Sequence, residues 1–495
     1  MNKRKLTPIL ISFLFFSFSV KAQESQPGLS KKYTLFDIVQ LARNQSTAWL
    51  QAETRKENRF WQFKTYRSNF NPQLVLTGTL PDFQRRFASI SQDDGSYVFQ
   101  AVSNNNSNLA LRLNQTIGAT GGRIFINSSV DRFDDFDRDF TQYSGTPISI
   151  GLVQPILQFN PWAWDKKIEP LRYEESQKEY FEELEQISID VTTRYFSLML
   201  AQINLEIATK NLANNDTIYK IAQGRYELGK IGENELLQLE SNLINSRLDV
   251  AQAELDLETS TLDLKSFVGF GENESIELIL PEDIPTFDVN EEVALVQAKT
   301  NRVDPVSFKR RVLESERQVA QARGENGINL DLVAQYGLNN RGADFSDIYR
   351  DPNDQQLVRL DLTVPILDWG RQKSRIKTAE ANRKLIEYQV AQDEINFEQE
   401  VFTKVKSFKM LREQLKVRKR SDELENRKYE ISKQYFLIGK TDITTLNIAL
   451  KDKDEAKRNY ISSLKTFWEA YFELRKLTLY DFSNSTLLLR DIKDN

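Results

Sequence analysis

The chain of 495 residues has no cysteine, no histidine, three methionines, 13 prolines and 19 glycines. Without cysteine there is no disulfide, no thiol nucleophile and no N-terminal lipid thioether, so an oxidising compartment is irrelevant to the fold. Without histidine there is no imidazole base, and without both the usual transition-metal ligands are gone. Beyond the N-terminus no apolar run is long enough for a transmembrane helix. Few prolines and glycines beside 28% charged residues suit long solvated helices better than several compact domains.

Enzymatic signals are equally sparse. The acid pairs Asp134-Asp135 and Glu182-Glu183 sit in a loop and on a charged helix, with no cleft to make them a glycosidase pair. Gly121-Gly122 and Gly269-Phe-Gly271 lack a phosphate-loop lysine and read as turns. No catalytic residue, metal or cofactor is expected.

What is present begins with a secretory signal. Lys3, Arg4 and Lys5 precede the apolar stretch Ile9–Val20, and Val20-Lys21-Ala22 places small or branched residues for cleavage after Ala22. The alternative is an uncleaved anchor, for which the stretch is short. Removing residues 1–22 leaves 62 basic and 71 acidic residues, so the charge goes from −5 to −9. That balance argues against nucleic acid as a partner.

The body of the chain is one unit used twice. Ile150-Gly-Leu-Val-Gln-Pro-Ile-Leu157 matches Leu360-Asp-Leu-Thr-Val-Pro-Ile-Leu367, and Tyr226-Glu-Leu-Gly229 matches Phe436-Leu-Ile-Gly439. Pro155 and Pro365 differ by 210, as do Gly229 and Gly439, and Leu236 and Leu446. The starts match at offset 256, Tyr33–Asn44 against Val289–Thr300, so the first half carries 46 extra residues. Apolar residues recur at sevens: Leu184, Val191, Leu198, Leu205, Leu212 in the first half, Val401, Phe408, Leu415 in the second, broken at Asp422. Such a repeat keeps one seam facing a partner helix.

Helices are expected over Asn160–Leu228 and Arg371–Ile438, each about 100 Å long at 1.5 Å per residue. Shorter ones return over about Asn234–Val268 and Asp442–Leu477, and others precede the strands at Thr34–Ser68 and Asn290–Arg323. The expected organisation is signal 1–22, first repeat 23–268, linker 269–288 with a possible strand at Ile276–Leu280, second repeat 289–482 and tail 483–495.

Each half also has period-two segments. Leu74, Leu76, Gly78 and Leu80 alternate with Val75, Thr77 and Thr79; Ile148, Ile150 and Leu152 follow the same rule. So do Leu330, Leu332 and Ala334, and Val358, Leu360 and Leu362, whose opposite face carries the lumen candidates Asp331, Arg359 and Asp361. One apolar and one polar face is what a membrane barrel needs, although a soluble sheet on a helix layer gives the same pattern. Four strands cannot close a wide barrel, so several copies must share one. The extra residues hold a further hairpin, Leu109–Val130 around Gly118–Gly122, which either enlarges the barrel or forms a flap. Asp82–Asn108 and Phe133–Gly145 read as polar outer loops. Trp162, Trp164 and Trp369 fit an interfacial belt or helix packing.

These features resemble the TolC family of outer-membrane efflux proteins. The carriers are the two Val-x-Pro-Ile-Leu-like strand ends at Pro155 and Pro365, Leu41–Asn44, and the two tips at Tyr226–Gly229 and Phe436–Gly439. The resemblance implies a mainly α fold: a long coiled-coil helical barrel plus a short β-barrel shared between protomers, built from two repeats. It implies a homotrimer in the outer membrane of a Gram-negative bacterium, its helices projecting into the periplasm. The tips would be the entrance, met by a periplasmic adaptor and an inner-membrane pump of a tripartite efflux or type I secretion system. Better-known members close the entrance with acids six and nine residues past the second-tip glycine; here these are Thr445 and Ile448. Asp442, Glu233 and Glu235 are the nearby acids. They either make the mouth electronegative or are first-turn acids on the helix dipole. The competing reading is a periplasmic or surface coiled-coil scaffold without a channel.

Overall fold

The computed structural model describes residues 31–92, 94–271 and 274–491. The expected signal segment lies outside them. In chain order the elements are β1 (Lys31–Tyr33), α1 (Leu35–Gln45), α2 (Thr47–Ser68), β2 (Gln73–Thr79), β3 (Phe83–Ser91), β4 (Tyr97–Ile117), β5 (Gly122–Asp135) and β6 (Phe140–Ile156). Then come α3 (Pro161–Glu227), α4 (Glu233–Val268), β7 (Ile276–Leu278), α5 (Glu291–Asn301), α6 (Asp304–Glu325), β8 (Asn329–Gly342), β9 (Asn353–Thr363), α7 (Arg371–Leu437) and α8 (Ile443–Thr478). A short pair, β10 (Tyr480–Asp481) and β11 (Thr486–Leu487), closes the described chain.

The two long helices have 67 residues each and the two returning helices 36 each. The duplication therefore holds in length to the residue. Towards the sheet, α2, α3, α6 and α7 lie side by side in that order; towards the tips the order is α4, α3, α8, α7. Any level of the layer is thus four helices wide. The larger of two cores runs where the two halves meet, built on Val191, Tyr195, Phe196 and Leu198 of α3, Val401, Phe408 and Leu415 of α7, and Leu464, Phe467, Trp468 and Phe472 of α8; the smaller, at the tips, holds Ile218, Leu239, Tyr429, Phe436 and Leu446. The sevens of the sequence are this seam. Linker strand β7 pairs in parallel with β1, Lys31 beside Ile276, and the Tyr195 hydroxyl donates to the Ile279 carbonyl, pinning the linker to α3.

Four expectations are corrected. The helix expected over Thr34–Ser68 is two, because the Ser46 hydroxyl accepts the Trp49 N–H at 3.1 Å and starts a new helix there. The helix expected over Asn290–Arg323 also breaks, at Arg302–Val303, where Pro305 in the next first turn cannot continue the ladder. Asp82–Asn108 is not loop: β3 and the first half of β4 pair from Phe83↔Asn105 to Ser91↔Tyr97. Phe133–Gly145 is mostly strand as well, since β5 and β6 pair out to Asp135↔Phe140. Polar runs such as Asn104-Asn105-Asn106 and Asp134-Asp135 show no apolar alternation, and that composition hid the strands.

The main sheet has the order β2-β4-β5-β6-β8-β9, with β3 pairing on β4 beyond the end of β2. All neighbours are antiparallel. The hairpin inside Leu109–Val130 is therefore two full strands between β2 and β6, and not a flap.

Candidate conduit: sheet faces, helical layer and tip

Register decides which side chains share a face. One row runs Leu74, Leu113, Ile126, Ile150, Tyr336, Gln356, and the next runs Ile124, Leu152, Ala334, Val358. With Leu76, Leu111, Leu330, Leu332, Leu360 and Leu362 they make one continuous apolar face. Among the described residues no element packs over it: Leu74, Leu76, Ile150, Val358, Leu360 and Leu362 are all exposed, Val358 by 78%. Along β8 the apolar positions from Leu330 to Leu338 span about 26 Å at roughly 3.3 Å per residue, or about 20 Å of height at a tilt of about 40°, the scale of the apolar band of an outer-membrane barrel. An aromatic group (Phe83, Phe87, Tyr97 and Phe99) stands exposed on the same face beyond it.

The opposite face carries Gln73, Thr77, Arg112, Asn114, Asn127, Ser149, Gln335 and Gln355. All three lumen candidates lie on it, at the end nearest the helices. Asp331 stands beside Asp361 in register. The Gln158 amide donates to Asp331 at 2.9 Å, and Arg359 pairs with Asp361 at 2.8 Å. Pro155 sits on the same row as Asp331, at the end of β6.

The two Pro motifs have different surroundings. Pro155 and Ile156 lie against β8. Pro365 lies at the free edge of the sheet after β9, where Ile366 is 95% and Trp369 90% exposed. Trp162 instead packs edge-on against Phe70 at 5.7 Å, and Lys167 lies over the Trp164 ring at 4.7 Å.

At the other end both long helices stop in the same way. Gly229 (φ 68°) donates to the Tyr226 carbonyl and Lys230 to that of Arg225, both at 2.8 Å; Gly439 (φ 72°) and Lys440 repeat this on Phe436 and Tyr435 at 3.0 and 2.8 Å. This pattern satisfies the last carbonyls and needs a left-handed residue, which explains both glycines. Asp442 caps α8: its carboxylate accepts the Thr445 N–H at 2.7 Å, and that bond holds its carboxyl below the usual carboxylate range. Gly232 caps α4 without a side-chain bond, and Glu233 and Glu235 occupy the first turn. Thr445 and Ile448 are exposed on α8, on the side turned away from buried Ile443, Leu446 and Ala449.

Sequence reasoning missed the polar ties within and between the two tip hairpins. Asn211 of α3 donates to buried Asp454 of α8 at 2.7 Å. Arg225 reaches the last carbonyl of α7 at Leu437, 3.4 Å away, and lies over Phe436. Lys453 lies over the Tyr429 ring at 4.3 Å, and burial pushes the Tyr429 hydroxyl up to about 12, so it stays neutral. Asp422, the break in the sevens, receives Lys457 at 3.4 Å. A polar residue on a heptad seam was the available signal. Nearer the sheet, Glu185 is 1% exposed and accepts two bonds from Arg475 at 3.1 Å, with Arg43 and Asp481 completing the cluster. No spacing rule marks that cluster.

Among the described residues no helix is long and apolar enough to cross a membrane. No group of three or more acidic, cysteine or histidine residues there is placed to hold a metal ion.

A profile of the outer membrane efflux protein family matches residues 38–269 and 294–478. A search of the curated proteins found no match. Among solved structures, the CmeC outer membrane channel of Campylobacter jejuni superposes with a TM-score of 0.65 at 16% identity, covering 93% of this chain and 87% of that one. The outer membrane protein VceC of Vibrio cholerae gives 0.60 at 13% identity, covering 91% and 96%. The MtrE outer membrane channel of Neisseria gonorrhoeae, solved in an open state, gives 0.59 at 14% identity, covering 90% and 88%.

Proposed function

The chain belongs to the outer membrane efflux protein family, and from that premise we propose that it is the passive outer-membrane conduit of a tripartite efflux or type I secretion system. The carrying observation is the uncovered apolar sheet face, joined end-on to a helical layer whose long helices reach about 100 Å. In water that face would be an aggregation surface; in lipid it is the barrel exterior. A coiled-coil scaffold has no use for it.

In this reading three copies close a ring, with the sheets in the outer membrane and the helices enclosing a periplasmic tunnel. The chain transforms nothing; it supplies a water-filled path and leaves the energy to an inner-membrane pump. Asp331, Arg359 and Asp361 line the lumen where the barrel meets the helices. The tips at Gly229 and Gly439 form the entrance and meet a periplasmic adaptor. With Thr445 and Ile448 in place of acids, closure rests on the ties between hairpins. Opening separates Asn211 from Asp454 and Arg225 from Leu437.

The test is extraction of the outer membrane followed by electrophoresis with and without boiling. A trimer that dissociates only on heating is expected. Recovery wholly in the soluble periplasmic fraction would refute the reading.

A further inference from the structure

We propose that each chain contributes six strands to the shared barrel, with the inserted β4–β5 hairpin a full part of the wall, so that a ring of three copies closes on eighteen strands. This rests on the conduit reading above and adds to it the make-up of the wall.

The hairpin is continuous with the sheet on both sides. β4 pairs with β2 from Gln73↔Asn114 to Thr79↔Asn108, and β5 pairs with β6 from Arg123↔Val153 onwards. The apolar row passes through it without a gap, Leu113 and Ile126 standing between Leu74 and Ile150. A flap lying off the wall would interrupt that row.

The sheet ends in two free edges, β2 and β9. β2 leaves the helices and β9 returns to them, so one copy's β9 is antiparallel to the next copy's β2. Six strands keep this alternation around a ring. In lipid both edges must be paired, and six strands are too few to close on themselves.

The internal repeat shows what covers the free edge. Inside the chain the first half meets the second through β6 on β8, α3 on α6 and α3 on α8. Moving each element to its duplicate turns these into β9 on β2, α7 on α2 and α7 on α4, all between copies. The exposure follows this rule at offset 210. Thr192 of α3 is fully buried, whereas its duplicate Phe402 on α7 is 48% exposed. Ile244 and Leu262 of α4 are exposed, whereas their duplicates Asp454 and Phe472 of α8 are buried. The outward series Tyr388, Ile395, Phe402, Met410, Val417 and Leu424 is a second seam, half or more exposed along most of its length and with no second helix of the described residues packed over it. A second copy is its occupant.

Width gives an independent check. Strands about 4.8 Å apart and tilted by about 40° each take roughly 6 Å of circumference, so six take about 38 Å. Four helices at about 8–10 Å take about 32–40 Å. The two duplicated strand pairs alone would take about 25 Å. Eighteen strands give a backbone radius of about 18 Å against about 12 Å for twelve.

Because the chain has no cysteine, engineered pairs report without background. Moving the β6–β8 register to its duplicate puts Val364 opposite Leu76, so Leu76→Cys is combined in turn with Leu360→Cys, Leu362→Cys and Val364→Cys, and separately Leu74→Cys with Ile150→Cys. Each variant is first shown to give a heat-modifiable trimer, so that failure to fold is seen as such. At least one of the first three pairs is expected to give a ladder of dimers and trimers without reductant. The Leu74–Ile150 pair, three strand spacings or about 14 Å apart, is expected to stay reduced and to react with a thiol-specific polyethylene glycol. A Leu74–Ile150 disulfide within assembled trimers would place β2 directly on β6 and overturn the six-strand wall. So would trimers that give no ladder with any of the three pairs, or a count of twelve strands by electron cryomicroscopy. Absence of any trimer in any variant and in the parent chain would instead strike the conduit reading itself.

Discussion

Replacing Ile150 by arginine tests which face of the sheet meets lipid. Ile150 sits on β6, near the middle of the sheet, between Ile126 and Tyr336, and half of its surface is uncovered. An arginine on the lipid face near the bilayer midplane costs about 2–4 kcal/mol. A ring of three copies carries the penalty three times, about 6–12 kcal/mol, which is comparable to the whole stability of a typical domain. Assembled trimer should therefore fall to a trace. The control is Gln335→Arg on the neighbouring strand, whose side chain stands on the opposite face beside Gly151 and Leu357. There the new charge meets water, and the expected change is within about 0.5 kcal/mol. The assay is the fraction of total protein recovered from the outer membrane as heat-modifiable trimer. The reasoning fails if Ile150→Arg assembles at the parental level, and it is reversed if Gln335→Arg is the variant that is lost.

Other expectations concern the helices. Arg475→Ala leaves Glu185 buried without its bidentate partner and should cost about 3–5 kcal/mol, read as a lowered melting temperature, whereas Arg475→Met paired with Glu185→Leu should recover only part of it, since Arg43 and buried Asp481 then lose their charged partners. Gly439→Val forces a branched residue to φ 72° with no steric clash around it, so the cost of about 1–3 kcal/mol is purely conformational and should appear as faster amide exchange confined to the second tip. Asp454→Ala frees Asn211 and loosens α3 from α8 near the entrance; cells carrying it should admit a large antibiotic that the parent excludes, with unchanged trimer yield.

Much of the architecture was legible because it repeats. Two copies of a rule give two chances to see it, and the offset of 210 tied Gly229 to Gly439 before any coordinate was known. Both helix ends then proved to use the same carbonyl-capping pattern. The sheet was less legible. Asp82–Asn108 looked like loop since it is rich in asparagine, aspartate and serine, yet Phe87, Phe99 and Tyr97 supply a one-sided aromatic pattern that a strand can use. Helix breaks at Ser46 and Pro305 are local cap chemistry of single residues, which periodicity over twenty residues averages away. The tip ties were hidden for another reason: Asn211 and Asp454 are 243 positions apart and follow no period.

The harder question for a sequence is which of two equivalent seams faces inward. α3 and α7 have the same length, the same heptad series and the same tip, so periodicity cannot tell them apart. Their environments differ because one lies in the middle of the helical layer and the other at its edge. Glu185 on α3 is sealed under Arg475 of α8, while its duplicate Ile395 on α7 is exposed and apolar. The chain thus buries a charge where its own second half supplies the partner, and shows a hydrophobe where its own fold supplies nothing. A free-standing monomer would favour the opposite choice at Ile395, since exposed apolar seams cost solubility. The pair is consistent only if another copy's α2 and α4 cover α7. In this fold the residues that break the inside-outside rule are therefore the record of assembly: Ile366 and Trp369 stand at the sheet edge, and the series resumes on α7 from Leu385 to Leu424.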